Sequence, residues 1–238
     1  MPEKHDHTGA RDFSRRDVLE WLGKGAVLAL GVDLAAACAA AAGEPKGFSF
    51  QPGTGRGGIF TEWPVRTVDT QDLVPILAHW RLEIGGLVEK PRSYTFAEIL
   101  ALPRTDQAKD FHCVEGWSVE DVPWNGVALS NILRRSRPTK KATHVNIRTV
   151  GNEYNDSLPL SVALEPTAIL AYGVAGSTLP LDHGFPLRVV VPRLLGYKNA
   201  KYVERLELAD KPLIGYWVAA GYDLAGLVQQ NRLRKGHY

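Results

Sequence analysis

Residues 111–127 read FHCVEGWSVEDVPWNGV and hold Cys113, one of only two cysteines in 238 residues. No second cysteine is near enough to pair with it locally, so the thiol needs another explanation. A lone buried thiol is usually a small hydrophobe, but His112 before it and Glu115 and Trp117 after it suit a metal ligand or a nucleophile better. Zinc wants a second cysteine pair or closely spaced histidines, whereas the seven histidines are scattered, with His5 and His7 near the start of the chain. A cysteine hydrolase would use Cys113 with His144 or His183 as base, yet no nucleophile signature surrounds it. A soft metal that accepts a thiolate stays open.

Toward the N-terminus, Ser14-Arg15-Arg16-Asp17-Val18-Leu19 precedes a mostly apolar run over 25–37 and then alanines and glycine to Gly43. Paired arginines, an apolar stretch and a small-residue tail predict a twin-arginine export signal over 1–42. A transmembrane helix needs about 20 apolar residues, and this run is shorter and interrupted by Asp33. The twin-arginine translocase carries folded proteins, often around a cofactor, so the expected location is the periplasm or another exported compartment. Cys38 is a candidate lipid-anchor site if the signal is cut just before it. Cleavage at 39–41 would instead leave Cys113 as the mature protein's one thiol. An unpaired cysteine in an oxidising compartment calls for a function.

Residues 43–58, with Pro45, Pro52 and six glycines, read as a flexible leader. That leaves 59–238 as one domain, long enough for a good core. Strand patterns occur from Trp80 (WRLEIGGLV), at 144–149, 168–172, 187–191 and 202–208. Thr95 and Glu98 form a capping box opening a short helix that Pro103 stops. Val127, Leu129, Ile132 and Leu133 recur at helical intervals over 126–133, and 161–164 suggests a helical turn. Strands dominate and βαβ spacing is absent, which predicts an α+β fold of mixed β-sheets with short helices rather than a doubly wound sheet. Without GxGxxG or GxxxxGK[ST], nicotinamide and nucleoside-triphosphate chemistry are disfavoured.

Charge adds a constraint: 28 basic against 26 acidic residues give +2, so no nucleic acid is expected as a partner. Basic residues matter locally, in HGFPLRVVVP (183–192) and GYKNAKY (196–202). Arg188 offers a planar fork that suits phosphate, Lys201 adds a point charge, and Gly196 lets backbone approach closely. These could equally be solvated charges flanking a core strand.

In order, FHCVEGWS, W-NGV-L-NIL, Y-DSLPL-AL, LAYG, PL-HGFPLRVVVP and GYKNAKYV resemble the sulfite-oxidase-type molybdenum cofactor-binding domain, from about Gly58 onward. The resemblance implies a compact domain of that type with molybdenum-molybdopterin as cofactor. It also implies Cys113 as the metal ligand, with His183, Arg188 and Lys201 holding the pterin and its phosphate. Thr149 falls near a cofactor-contacting threonine, and Asn199 and Ala200 would contribute through backbone. Where animal and plant sulfite oxidases continue Gly-Asn-Arg after the ligand cysteine, this chain has Val114-Glu115-Gly116-Trp117-Ser118. The expected pocket is thus acidic and aromatic, hostile to sulfite. Cys-Val-Glu-x-Trp-Ser is similar to exported bacterial methionine-sulfoxide reductases, although their N-terminal Asn and Tyr-Glu contacts have no match around Phe60 to Arg66.

The implied activity is two-electron oxygen-atom transfer, reducing a small-molecule or protein-bound S-oxide or N-oxide, with oxidation of a small oxyanion as the other direction. Glu115, Trp117 and Tyr154 are the candidate pocket residues, with Glu115 and Tyr154 joining Cys113 as catalytic candidates. For Trp117 and Trp124 core packing is the competing reading. With neither a haem-attachment motif nor a cluster-forming cysteine set, electrons would come from an external cytochrome or a membrane haem subunit. The aromatic tail Tyr216, Trp217 and Tyr222 would lie near its docking surface. The alternatives are a non-catalytic periplasmic anion-binding module and a cysteine hydrolase.

Overall fold

The chain visits two β-sheets in turn, a few strands at a time. The computed structural model describes residues 49–52, 58–60, 63–68 and 80–229. The expected export signal, Cys38, His5 and His7 lie outside the described residues.

β1 (Ser49–Pro52) falls inside the stretch read as leader. β2 (Leu82–Gly86) and β3 (Arg92–Tyr94) pair antiparallel. α1 (Phe96–Leu100) starts where expected: the Thr95 hydroxyl accepts from the Glu98 N–H, and the Glu98 carboxylate accepts from the Thr95 N–H at 2.7 Å. β4 (Arg104–His112) and β5 (Ser118–Ala128) form a long antiparallel pair with the cysteine turn between them, followed by α2 (Leu129–Arg135). β6 (His144–Thr149), β7 (Asn155–Pro159) and α3 (Leu160–Ala163) come next. Then follow β8 (Ile169–Val174), β9 (Ser177–Thr178), β10 (Arg188–Val190), β11 (Val203–Ala209) and α4 (Tyr216–Ala219).

One sheet runs β1-β9-β8-β5-β4 with β10 also on β8, and the other runs β3-β2-β11-β6-β7. Parallel pairs (β1 with β9, β2 with β11) mix with antiparallel ones, as the α+β reading anticipated. One apolar core joins the sheets through Ile84, Val127, Ile132, Ile147, Leu170, Val189 and Leu206. Each such side chain contributes about 1.5–3 kcal/mol relative to exposure. Among the described residues no helix is long and apolar enough to cross a membrane.

The helix expected over 126–133 is a correction. Gly126, Val127 and Ala128 complete β5 and pair with Ala171, Leu170 and Ile169 of β8, and the helix begins only at Leu129. A Cβ on Gly126 would collide with the Leu170 carbonyl oxygen and stand 2.9 Å from the Ala171 Cα. Glycine there permits the close strand pairing, and tertiary contact overrides the helical period.

Candidate functional site

Cys113 follows directly on β4. Its N–H donates to the Trp117 carbonyl at 2.9 Å, and the Gly116 N–H donates back to the Cys113 carbonyl at 3.0 Å. Gly116 sits at φ 94°, a conformation that favours glycine. The tight turn carries the thiol off the strand and onto a cavity of about 380 Å³, within the usual size for a small-molecule site. Burial, at 8% exposure, pushes the thiol up to about 11.

Glu115 stands over the thiol, with Oε2 3.8 Å from Cys113 Sγ. Arg66 Nε donates to both of its oxygens at 2.9 Å, and Trp117 Nε1 donates to Oε2 at 2.8 Å. The Arg66 hydrogen bond, ahead of the opposing effect of burial, holds the carboxyl below its ordinary range. The acidic pocket expected from sequence is therefore corrected: Arg66 matches the Glu115 charge at the cavity mouth.

The opposite wall is basic. Arg188 of β10 is 3% exposed, donates to the His183 and Asn199 carbonyls at 3.1 and 3.3 Å, and lies within 5.8 Å of the Trp63, Phe111 and Trp124 ring centres. Its Nε has no hydrogen-bond partner among the described residues. Burial lowers it to about 10, so it remains charged at neutral pH. His183 is buried beside it; desolvation first, then the Arg188 and Lys201 charges, hold it neutral with a pKa of about 3. Lys201 Nζ donates to the Asp182 carbonyl at 2.7 Å. Gly184, at φ 111°, keeps the cradle open, since a Cβ there would lie 3.1 Å from both the Arg188 Cβ and the Lys201 Cγ. A Cβ on Gly196 would meet Phe111 Cζ at 2.7 Å.

The residues expected to act in catalysis or cofactor binding, Cys113, Glu115, Thr149, Tyr154, His183, Arg188, Asn199, Ala200 and Lys201, line this one cavity. Their detailed roles differ. The Thr149 hydroxyl donates to the Tyr154 carbonyl at 2.8 Å and so holds the loop after β6. The Tyr154 hydroxyl donates to the Tyr197 carbonyl, and burial pushes its pKa well above the ordinary tyrosine value, so its proton is committed to bracing the wall. The Asn199 N–H is engaged by the Gly196 carbonyl at 3.0 Å, and its side-chain amide donates to Leu194 and Leu195. Its carbonyl accepts from Arg188 Nη2. Trp124 is fully buried beneath Trp63 and does not line the cavity, as core packing requires, whereas Trp117 does line it.

Sequence reasoning missed the stretch 63–68, which lines the cavity along with Trp217 and Tyr222. Trp63 is 4% exposed and packs its ring centre 5.1 Å from those of Phe111 and His183. A buried tryptophan in a stretch without periodicity was the one available signal.

Among the described residues no three His, Cys, Asp or Glu side chains gather to hold a metal by themselves. A metal here would take one protein thiolate and complete its shell from another ligand. Molybdopterin fits that arrangement. Its dithiolene and phosphate suit a soft metal beside Cys113 and an uncompensated buried guanidinium with an unsatisfied donor.

Comparison with known proteins agrees. Residues 69–217 match the oxidoreductase molybdopterin binding domain. The chain is 33% identical over 73% of its length to the uncharacterized oxidoreductase YuiH of Bacillus subtilis, of which it covers 87%. It is 37% identical over 63% of its length to the putative protein-methionine-sulfoxide reductase subunit YedZ1 of Azospira oryzae, and 33% identical over 57% to the protein-methionine-sulfoxide reductase catalytic subunit MsrP of Xanthomonas axonopodis. It spans only 56% and 46% of those two reductases. Among solved structures, sulfane dehydrogenase SoxCD from Paracoccus pantotrophus superposes with a TM-score of 0.51 at 26% identity, over 63% of this chain and 41% of that one. The non-catalytic and hydrolase readings give way: the chain belongs to the molybdopterin-binding oxidoreductase family, enzymes that use molybdenum-molybdopterin.

Proposed function

We propose that this oxidoreductase removes an oxygen atom from an S-oxide or N-oxide, with Cys113 as the protein's ligand to molybdenum. One observation carries the reading: the Cys113 thiol and the Arg188, Lys201 and His183 wall open on a single cavity. The direction is supported by the relatives, since those named reductases share 33–37% identity with the chain and the dehydrogenase shares 26%. In balance, a sulfoxide takes up two electrons and two protons, its sulfur–oxygen bond breaks, and a thioether and one water leave. Bound molybdenum would supply two-electron oxygen-atom exchange.

The chain's own residues prepare that exchange. Cys113 would give up its proton on coordinating a metal, and the 113–116 turn fixes where the sulfur points. Arg188 and Lys201 would neutralise the phosphate, and His183, held neutral, would offer a hydrogen bond without adding charge. Glu115, ionised by its contact with Arg66, orients beside the thiol. Trp63, Phe111 and Trp124 exclude water from the guanidinium. Export through the twin-arginine translocase, a lipid anchor at Cys38, and an external cytochrome or membrane haem subunit as electron donor complete the reading. The motif at 14–19 supports the export.

The test is molybdenum content together with dye-coupled reduction of S-oxides, comparing the unaltered chain with Cys113→Ser. The serine variant should fold normally and lose turnover, because a hard hydroxyl replaces a soft thiolate. Full activity in that variant would remove Cys113 from the metal.

A further inference from the structure

The stretch 63–68 precedes the family domain matched over 69–217, yet it supplies part of the cavity mouth. Trp63 anchors it against Phe111, Trp124 and His183. Three residues on, Arg66 lines the cavity. Its Nε is shared between the two Glu115 oxygens, and its Nη1 donates to the Val65 carbonyl at 3.1 Å. A guanidinium has five N–H groups. The remaining N–H groups, one on Nη1 and both on Nη2, have no partner among the described residues. Glu115 meanwhile reaches to 3.8 Å from Cys113 Sγ, so this guanidinium is tethered next to the thiol.

We propose that Arg66 determines specificity at this site by holding the oxygen atom of a neutral, dipolar S-oxide with its uncommitted N–H groups, while Glu115 keeps the guanidinium in place. The proposal rests on the S-oxide reading above. Charge selects the class of substrate. With Arg66 and Glu115 paired, the mouth is locally neutral, and an oxyanion gains little net attraction there. An S=O oxygen still accepts hydrogen bonds from the guanidinium. Trp117, Trp217 and Tyr222, which share the lining, face the apolar substituents of such a molecule.

The experiment uses the full chain loaded with cofactor in a host that makes it, a reduced dye as electron donor, and methionine sulfoxide, dimethyl sulfoxide and sulfite as probes. Arg66→Gln should raise the KM for both sulfoxides on the order of 10- to 100-fold, change kcat less, and leave molybdenum per chain and the thermal midpoint unaltered. Methionine sulfoxide binding to the oxidised protein, read by tryptophan fluorescence, should weaken by the same factor. Arg66→Lys keeps a charge beside Glu115 but loses the fork, and should recover only part of the loss. A KM within twofold in Arg66→Gln, or a loss of molybdenum in that variant, overturns the proposal while the S-oxide reading stands. An unaltered chain that oxidises sulfite but ignores sulfoxides, or acts on none of the probes, overturns both.

Discussion

Two cations are buried near the cavity, and they are treated differently. Lys198 is fully buried and is paired with the buried Asp156, which also accepts the Ser157 N–H at 2.7 Å. The contact draws β7 to the 196–198 turn, and Gly215 makes room for it, since a Cβ there would lie 2.7 Å from Asp156 Oδ1. Arg188 is almost as deeply buried and, among the described residues, has two carbonyls and three aromatic faces as its neighbours. Leaving a charge in a dry site without a counter-ion is costly. A cation that the fold neutralises is part of the fold, and one without an acidic partner among the described residues suits a ligand's negative charge.

That contrast can be broken at either end. Asp156→Ala strands Lys198 and should cost about 3–5 kcal/mol in denaturant unfolding; a loss below about 1 kcal/mol would mean the pair is no brace. Arg188→Met should cut bound molybdenum at least about tenfold while the cofactor-free chain keeps or gains stability, because an unpaired buried charge has gone. Destabilisation as large as that of Asp156→Ala would place Arg188 in the same class as Lys198.

His183 sharpens the same point through pH. Its pKa is about 3 when folded and about 6.5 when unfolded, so below 6.5 the unfolded chain takes up the proton first and stability falls with pH. The loss should reach about 2 kcal/mol by pH 5 in the cofactor-free chain, and acid titration of His183→Gln should show a flatter curve. The smallest effect belongs at the surface: Arg193 is paired with Glu165 at 2.6 Å, about half exposed. Arg193→Ala should change unfolding by less than about 1 kcal/mol.

Much of this was legible in the sequence because the signals were local. The Thr95 and Glu98 box, the alternating β6 and the apolar run around β10 depend on near neighbours, and their positions held to within a residue or two. The β4–β5 pair was not legible. Pro123, Asn125 and Gly126 interrupt any strand pattern, and β5 exists because β4 and β8 flank it. The cysteine, histidine and basic residues of the site could be found through ordered motifs. Arg66 could not, because its meaning arises from a contact 49 positions away with Glu115.

The placement of that arginine separates parts of the lining by their position in the chain. The basic part of the lining, His183, Arg188 and Lys201, lies inside the matched domain, whereas Trp63 and Arg66 precede that domain and Tyr222 follows it. The lining is thus drawn from three parts of the chain: 63–68, the matched stretch 69–217 and the residues after it. Substitutions at 63–68 or at Tyr222 would therefore reach the cavity lining without altering the basic residues at 183–201.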